Sequence, residues 1–147
     1  MKDTAADVLL IEDNKLDVQL TLQAFEKANL KPHVQVVSDG ARALDFLHRT
    51  GEFAGRPAAD PKLIILDLNL PLVDGHYVLR QIVSDPRTYV IPLVVVTSSR
   101  EPRDIYSTYK LGINSYIAKP VNSETYIDTI KSLARYWLTT NQPPPSG

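Results

Sequence analysis

The 147-residue sequence contains no cysteine, which excludes disulfides, thiolate catalysis and thiolate metal sites. It also lacks an excess of either charge, since 16 Lys and Arg residues face 17 Asp and Glu residues. A strongly basic nucleic-acid surface is therefore not indicated. No apolar run approaches the length of a membrane span or a signal-peptide core. We expect a soluble cytoplasmic protein that contacts neither nucleic acid nor membrane directly.

Short apolar runs recur along the chain. Three are rich in branched residues and too short for helices, which predicts buried parallel strands at Val8–Ile11, Leu63–Leu66 and Leu93–Val96. His33–Ser38 and Asn114–Ala118 are more polar and predict edge strands. A segment with helical spacing follows each strand. This alternation predicts a doubly wound α/β fold, in which a five-stranded parallel sheet carries helices on both faces.

We expect one domain over residues 6–140, a short lead at 1–5 and a disordered proline-rich tail at 141–147, with no residues left for an output domain. A long exposed loop is predicted at Thr50–Lys62, and the sequence does not indicate its role. Several residues suit helix ends: Asp13 or Asn14, Asp39, Asp74 and Asn122 at starts, Pro102 early in the fourth helix and Gly112 at its end.

Polar side chains follow the strands at the edge where open parallel sheets bind their ligands. They are Glu12 and Asp13 after the first strand, Asp67 after the third, Thr97 after the fourth and Lys119 after the fifth. Three crowded carboxylates repel one another unless a cation neutralises them, and Lys119 supplies only one positive charge. Because only oxygen ligands are available, the predicted metal is Mg²⁺ or Mn²⁺ rather than zinc.

A hard metal beside an aspartate and a lysine indicates phosphoryl chemistry, because phosphoryl oxygens need positive neighbours and an in-line nucleophile. Asp67 is the best-placed nucleophile. Taken singly, these residues also have simpler explanations: Asp13 could only cap a helix, and Asp67 could only end a strand. Their convergence at one edge favours a functional site.

Together these motifs resemble the receiver domain of bacterial two-component response regulators. The motifs are Glu12-Asp13, Leu66-Asp67-Leu68-Asn69-Leu70-Pro71 with Asp74-Gly75, Thr97-Ser98 and Lys119-Pro120. The resemblance spans about residues 6–138 and implies the flavodoxin-like receiver fold with strand order 2-1-3-4-5. It implies a signalling protein rather than a metabolic enzyme, which accepts a phosphoryl group on Asp67 from a phosphohistidine of a sensor kinase and catalyses only that transfer and its own dephosphorylation.

The resemblance also implies a metal site. It implies that Asp13 and Asp67 bind Mg²⁺ together with the backbone carbonyl of Asn69, while Glu12 acts through a metal-bound water. Glu12 stands where many receivers have Asp, a change that keeps the charge.

The phosphoryl group has implied partners as well. Lys119 would pair with one phosphoryl oxygen, and Thr97 would move to hydrogen-bond another. Tyr116, at the switch-aromatic position, would rotate inward behind Thr97. The Lys119–Pro120 peptide bond is expected to be cis, as it is in receivers.

The Glu-Asp pair, the long loop before the third strand and the expected lack of an output domain resemble the stand-alone response regulators that partner cyanobacterial and bacterial phytochromes. This implies a phytochrome-type histidine kinase as phosphoryl donor. The signal would leave through the fourth helix, fifth strand and fifth helix, the usual receiver output face. Side chains there predict a homodimer interface: Tyr106, Tyr109, Tyr126, Leu133 and Tyr136.

Other functions fit parts of the sequence. A pseudo-receiver that serves as a docking scaffold without phosphorylation is disfavoured by the complete acid, threonine and lysine set. A haloacid dehalogenase-type phosphatase shares the strand-end nucleophile, but Asn69 occupies the position where such enzymes need an acid. In a flavodoxin-like electron carrier, the turn after the first strand would bind phosphate, and here that turn is acidic.

Overall fold

A computed structural model of the chain describes residues 5–145. It contains five short strands: β1 (Val8–Ile11), β2 (Val34–Val37), β3 (Leu63–Leu66), β4 (Leu93–Thr97) and β5 (Ser115–Ala118). All neighbouring strands pair in parallel in the order β2-β1-β3-β4-β5. The predicted doubly wound fold and strand order are confirmed. Both edge strands are shorter than predicted, and β4 extends one residue further to include Thr97.

Five α-helices follow the strands: α1 (Lys15–Lys27), α2 (Gly40–His48), α3 (Gly75–Ser84), α4 (Pro102–Leu111) and α5 (Ser123–Arg135). A 3₁₀ turn, Gly51–Phe53, follows α2, and a π-helical turn, Tyr136–Thr140, continues α5. No helix within residues 5–145 is both long enough and apolar enough to cross a membrane.

The sheet separates two apolar cores. Successive side chains of a strand point to opposite faces, so Leu9 and Ile11 of β1 pack on the side of α2 and α3, whereas Val8 and Leu10 pack on the side of α1 and α5. All four are essentially inaccessible to solvent. Because both faces are covered, the central strands are continuously apolar rather than alternating.

Capping side chains start several helices as predicted. Asn14, Asp39 and Asn122 each accept the backbone N–H of the residue three positions later, at 2.8 to 3.0 Å. Asp74 also precedes a helix but makes no such bond, and its carboxylate lies 3.5 Å from Nδ1 of His76. Gly112 ends α4 with a φ of 107°, a backbone conformation that favours glycine.

The long loop before β3 is anchored to α2 through Arg56. Its guanidinium donates to the carbonyls of Phe46 and Leu47 in the last turn of α2 and to two carbonyls of the loop. It also lies 4.2 Å from the centre of the Phe46 ring. A cation is favourable at this end of a helix, where carbonyls lack helical partners.

Both chain ends are only partly described. Residues 1–4 of the expected lead and 146–147 of the expected disordered tail lie outside the described residues. Residues 141–145 have no regular secondary structure, and Pro145 lines a cavity of about 420 Å³ with Leu47 and Arg56. The domain limits and the disorder of the tail stay predictions.

Gly75, the first residue of α3, touches the loop that leaves β3. A Cβ there would lie 2.5 Å from the Cα of Leu68 and 2.7 Å from the carbonyl oxygen of Asp67. Because these are backbone atoms, rotating a side chain cannot relieve the overlap. We expect Gly75→Ala to lower the free energy of unfolding by about 2–3 kcal/mol, measured by urea denaturation. Gly55→Ala is the control, since no heavy atom lies within 4 Å of its added Cβ, and equal losses in both variants would contradict this explanation.

Candidate functional site

Backbone hydrogen bonds between strands bring the predicted site residues to one edge of the sheet. Glu12 donates its N–H to Val37 at 3.0 Å, and Asp67 donates to Ile11 at 3.0 Å. Lys119 donates its N–H to the carbonyl of Thr97 at 2.7 Å. Each of these three residues is therefore tied to the neighbouring strand. Their side chains share the carboxyl edge of the sheet, as predicted.

The ammonium of Lys119 is surrounded by carboxylates. Its Nζ lies 2.7 Å from Oε1 of Glu12, 2.9 Å from Oδ2 of Asp67 and 2.7 Å from Oδ2 of Asp17. The first two contacts join residues that were predicted to form the site. Asp17 was not predicted to belong to the site, although it lies in the first turn of the helix that starts just after the Glu12-Asp13 pair.

Burial and like charge perturb this cluster. Burial and the nearby Asp67 charge raise the pKa of Glu12 to about 7, although Lys119 and the N–H of Asn14 act in the opposite direction. Burial alone would lower the pKa of Lys119, but its bonds to Asp17, Glu12 and Asp67 raise it above the ordinary value. Lys119 thus stays charged, while the carboxylates retain an excess of negative charge.

Three carboxylates are positioned to share a cation. One oxygen each from Glu12, Asp13 and Asp67 can be chosen so that all lie within 4.8 Å of one another. Asp13 is exposed, whereas Glu12 and Asp67 are buried. An all-oxygen donor set with an unneutralised charge fits Mg²⁺ or Mn²⁺, with water completing the coordination.

Asp67 is held by two donors. Its Oδ2 accepts from Lys119, and its Oδ1 accepts the backbone N–H of Asn69 at 3.1 Å. Its relative exposure is 4%, so the carboxylate sits at the bottom of the site. Thr97 is fully buried at the end of β4, and its hydroxyl accepts the N–H of Ser99 at 3.4 Å.

A family model for the response regulator receiver domain matches residues 8–131. The chain belongs to the response regulator receiver family. The family resemblance stated from the motifs is therefore confirmed. Response regulator receiver domains are signalling proteins rather than typical enzymes, which agrees with that part of the prediction.

Curated relatives and solved structures extend along nearly the whole receiver. The probable methanogenesis regulatory protein FilR2 of Methanothrix harundinacea is 39% identical over 93% of this chain and 86% of its own. Response regulator Rcp1 of Synechocystis is 35% identical over 90% of this chain and 89% of its own. The phosphorylated cyanobacterial phytochrome response regulator RcpA superposes with a TM-score of 0.89, at 38% identity over 96% of this chain and 99% of its own. A solved structure of Rcp1 contains Mn²⁺ and also gives a TM-score of 0.89, at 34% identity over 95% and 99% of the two chains.

The switch region of this receiver differs in one respect from expectation. Among residues 5–145 no peptide bond is cis, so the expected cis bond before Pro120 is wrong, and this bond has the trans geometry that X-Pro bonds usually adopt. Tyr116 is half-buried, and its hydroxyl donates to the carbonyl of Ser99 at 2.9 Å. The aromatic residue is thus attached to the segment that follows Thr97.

Two residues assigned to the dimer face are misplaced. Tyr126 and Leu133 are 3% and 6% exposed and belong to the core between the sheet, α1 and α5. The hydroxyl of Tyr126 lies 3.5 Å from Oγ1 of Thr21 on α1. The buried stripe of α5 is therefore wider than predicted from the sequence. The other three residues of the prediction, Tyr106, Tyr109 and Tyr136, are about half or more exposed.

The raised pKa of Glu12 predicts pH-dependent metal binding. A carboxylate must lose its proton before it can interact favourably with a cation. The affinity for Mg²⁺ should therefore increase about tenfold between about pH 6 and pH 8, measured by calorimetric titration. The folding stability of the metal-free protein has the opposite pH dependence. Because the pKa of Glu12 is raised from 4.5 to about 7 in the folded protein, Glu12 contributes stability at low pH, and this contribution is lost as the pH rises through about 7.

Glu12→Gln is the control for this prediction, because it keeps the shape of the side chain and removes the titrating group. Its Mg²⁺ affinity should change less than about twofold over the same range. A tenfold change in both proteins would assign the titration to another group.

Proposed function

We propose that this receiver accepts a phosphoryl group on Asp67 from a phosphohistidine of a sensor histidine kinase. The observation that carries the proposal is the position of Asp67: a buried strand-end carboxylate whose two oxygens accept from Lys119 and from the N–H of Asn69. These two donors fix the orientation of the carboxylate. A positively charged group lies beside the point where phosphoryl charge would develop.

The transfer itself is a substitution at phosphorus. A carboxylate oxygen of Asp67 forms a bond to phosphorus while the bond between phosphorus and the imidazole nitrogen of the donor breaks, and the nitrogen keeps that electron pair. Lys119 offers positive charge to a phosphoryl oxygen. Hydrolysis of the acyl phosphate by water then restores Asp67 and ends the signal.

Glu12, Asp13 and Asp67 would hold Mg²⁺, or Mn²⁺, with the backbone carbonyl of Asn69 as a further ligand. Support comes from the all-oxygen cluster and from the Mn²⁺ in the solved Rcp1 structure. The bound ion supplies positive charge that offsets the carboxylates and attracts the phosphoryl group.

The response begins at Thr97. Its hydroxyl accepts a long bond, 3.4 Å, from the N–H of Ser99 and can donate its own proton to a phosphoryl oxygen. Ser99 also accepts the hydroxyl of Tyr116 through its carbonyl. A shift of Thr97 toward the phosphoryl group therefore changes the Ser99 segment and, through it, the orientation of Tyr116 and the face formed by α4, β5 and α5.

The proposed donor is a phytochrome-type kinase. Similarity to Rcp1 and RcpA supports this choice, since the structure of RcpA is that of a cyanobacterial phytochrome response regulator. Exposed apolar side chains also lie in the segments around the site: Leu16 at the start of α1, Leu72 after β3 and Val121 after β5. Such residues favour a protein partner at this edge. A cytoplasmic location stays a prediction.

Acetyl phosphate tests the acceptor directly. With Mg²⁺ present, intact-protein mass spectrometry should detect one acid-labile phosphoryl group on the wild type and none on Asp67→Asn, since the neutral amide is not a nucleophile. Asp74→Asn is the matched control in the following loop and should be labelled like the wild type. An unlabelled wild type that still binds Mg²⁺ and fails to bind beryllofluoride would contradict the proposal and favour a docking scaffold.

Replacing acetyl phosphate with an autophosphorylated phytochrome-type kinase, using the same proteins, tests the donor. Transfer that requires Asp67 and differs between red and far-red illumination supports it. Labelling by acetyl phosphate without transfer from such kinases would reject the donor while leaving the acceptor chemistry in place.

The receiver is also proposed to form a homodimer through α4, β5 and α5. Tyr106, Tyr109 and Tyr136 are exposed there, and a shallow groove of about 590 Å³ lies between β5 and the end of α5, lined in part by Ile117 and Trp137. Exposed aromatic rings with polar tips are common in protein interfaces.

Sedimentation velocity tests this interface with and without beryllofluoride. We expect concentration-dependent dimerisation of the wild type and a dissociation constant at least about tenfold higher for Tyr106→Ala, because an interface aromatic is lost. Tyr89→Ala removes a similarly exposed tyrosine on the α3–β4 connection and should behave like the wild type. A wild type that stays monomeric in both conditions would remove the dimer proposal.

A further inference from the structure

The hydrogen-bonding capacity of Lys119 is fully used. An ammonium group has three N–H donors, and Nζ of Lys119 contacts three carboxylates at 2.7 to 2.9 Å. A phosphoryl oxygen can therefore bind this ammonium only if one of the three carboxylates gives up its place. Which carboxylate leaves determines how readily Lys119 can serve the phosphoryl group.

The three carboxylates differ in their exposure to solvent. The side chains of Glu12 and Asp67 are 4% and 5% exposed, while that of Asp17 is 17% exposed. The second oxygen of Glu12 is also held by the N–H of Asn14 at 3.1 Å. Among residues 5–145, Lys119 is the only hydrogen-bond partner of the Asp17 carboxylate. Asp17 can thus return to water at the smallest cost of the three.

Asp17 adds charge without adding a ligand. The group of carboxylates positioned to share a cation comprises Glu12, Asp13 and Asp67, and does not include Asp17. Asp17 is not the acceptor either. Its charge therefore acts on the site in two ways: it holds Lys119, and it repels an incoming dianionic phosphoryl group.

We propose that Asp17 is a positioning residue that competes with the phosphoryl group for Lys119. In the free protein it draws the ammonium toward the first turn of α1, and on phosphorylation it releases the ammonium to a phosphoryl oxygen. The strength of the Asp17–Lys119 contact then sets part of the affinity for the phosphoryl group. This inference rests on the proposed function.

A structural role makes a different prediction. The contact also links α1 to the segment after β5, so its loss could lower stability alone. Because Glu12 and Asp67 would still hold Lys119, a purely structural role predicts a lower melting temperature and no gain in affinity for a phosphoryl analogue. Tighter binding of the analogue would show that Asp17 competes for Lys119 and does not only link α1 to the segment after β5.

The test is the affinity for beryllofluoride at saturating Mg²⁺, measured by fluorine NMR. Asp17→Asn and Asp17→Ala lack the charge and should bind on the order of tenfold more tightly than the wild type. Asp17→Glu keeps the charge and should lie within about threefold of the wild type. Glu26→Gln removes an exposed carboxylate from the far end of α1 and should leave the affinity unchanged.

The outcomes distinguish this inference from the proposed function. A wild type that binds no beryllofluoride contradicts the proposed function itself. A wild type that binds it, with unchanged or weaker binding in whichever charge-removing variant is folded by circular dichroism, overturns the role of Asp17 alone. Tighter binding in Glu26→Gln as well would reduce the effect to net charge and likewise overturn the inference.

Discussion

The site depends on one ammonium group that is shared by three carboxylates at the end of a parallel sheet. Parallel pairing brings the ends of β1, β3 and β5 to the same edge, and the apolar cores on both faces leave that edge as the place where charged residues can reach solvent. Glu12 and Asp67 are buried there beside Lys119. Removing Lys119 would leave Glu12 and Asp67 with uncompensated buried charge, which couples the acids to the lysine.

Excess negative charge is what attracts a cation to this edge. Burial and the nearby charge of Asp67 raise the pKa of Glu12, and the one ammonium of Lys119 does not offset them. The same imbalance favours a divalent ion, and the ion together with Lys119 makes the site suitable for a phosphoryl group. Thr97, Ser99 and Tyr116 then connect the edge to the surface of α4, β5 and α5 through two hydrogen bonds. In the proposed function, these bonds carry a change at Asp67 to that surface.

Sequence patterns predicted the parts of the fold that local physics determines. Runs of branched apolar residues marked β1 and β3 to the residue, and Asn14, Asp39 and Asn122 were recognisable caps. The strand order came from family resemblance, because alternation of strands and helices does not by itself choose among parallel orders.

The errors have physical causes too. Tyr126 was assigned to an exposed face because only a narrow apolar stripe of α5 was expected to be buried. The buried stripe is wider, since α1 also covers Tyr126. Asp17 was missed because its partner Lys119 is distant in sequence, at 102 residues. The anchoring of the long loop by Arg56 was not visible for a similar reason: it depends on carbonyls at the end of α2, which no side-chain pattern records.

The most direct test of the account is a crystal structure of the protein with Mg²⁺ and beryllofluoride. The account predicts beryllium on a carboxylate oxygen of Asp67, the metal on the oxygens of Glu12, Asp13 and Asp67 or their waters, and Nζ of Lys119 in contact with a fluorine. Beryllofluoride on another residue, or an Asp67 that carries no adduct while Lys119 keeps all three carboxylates, would contradict it.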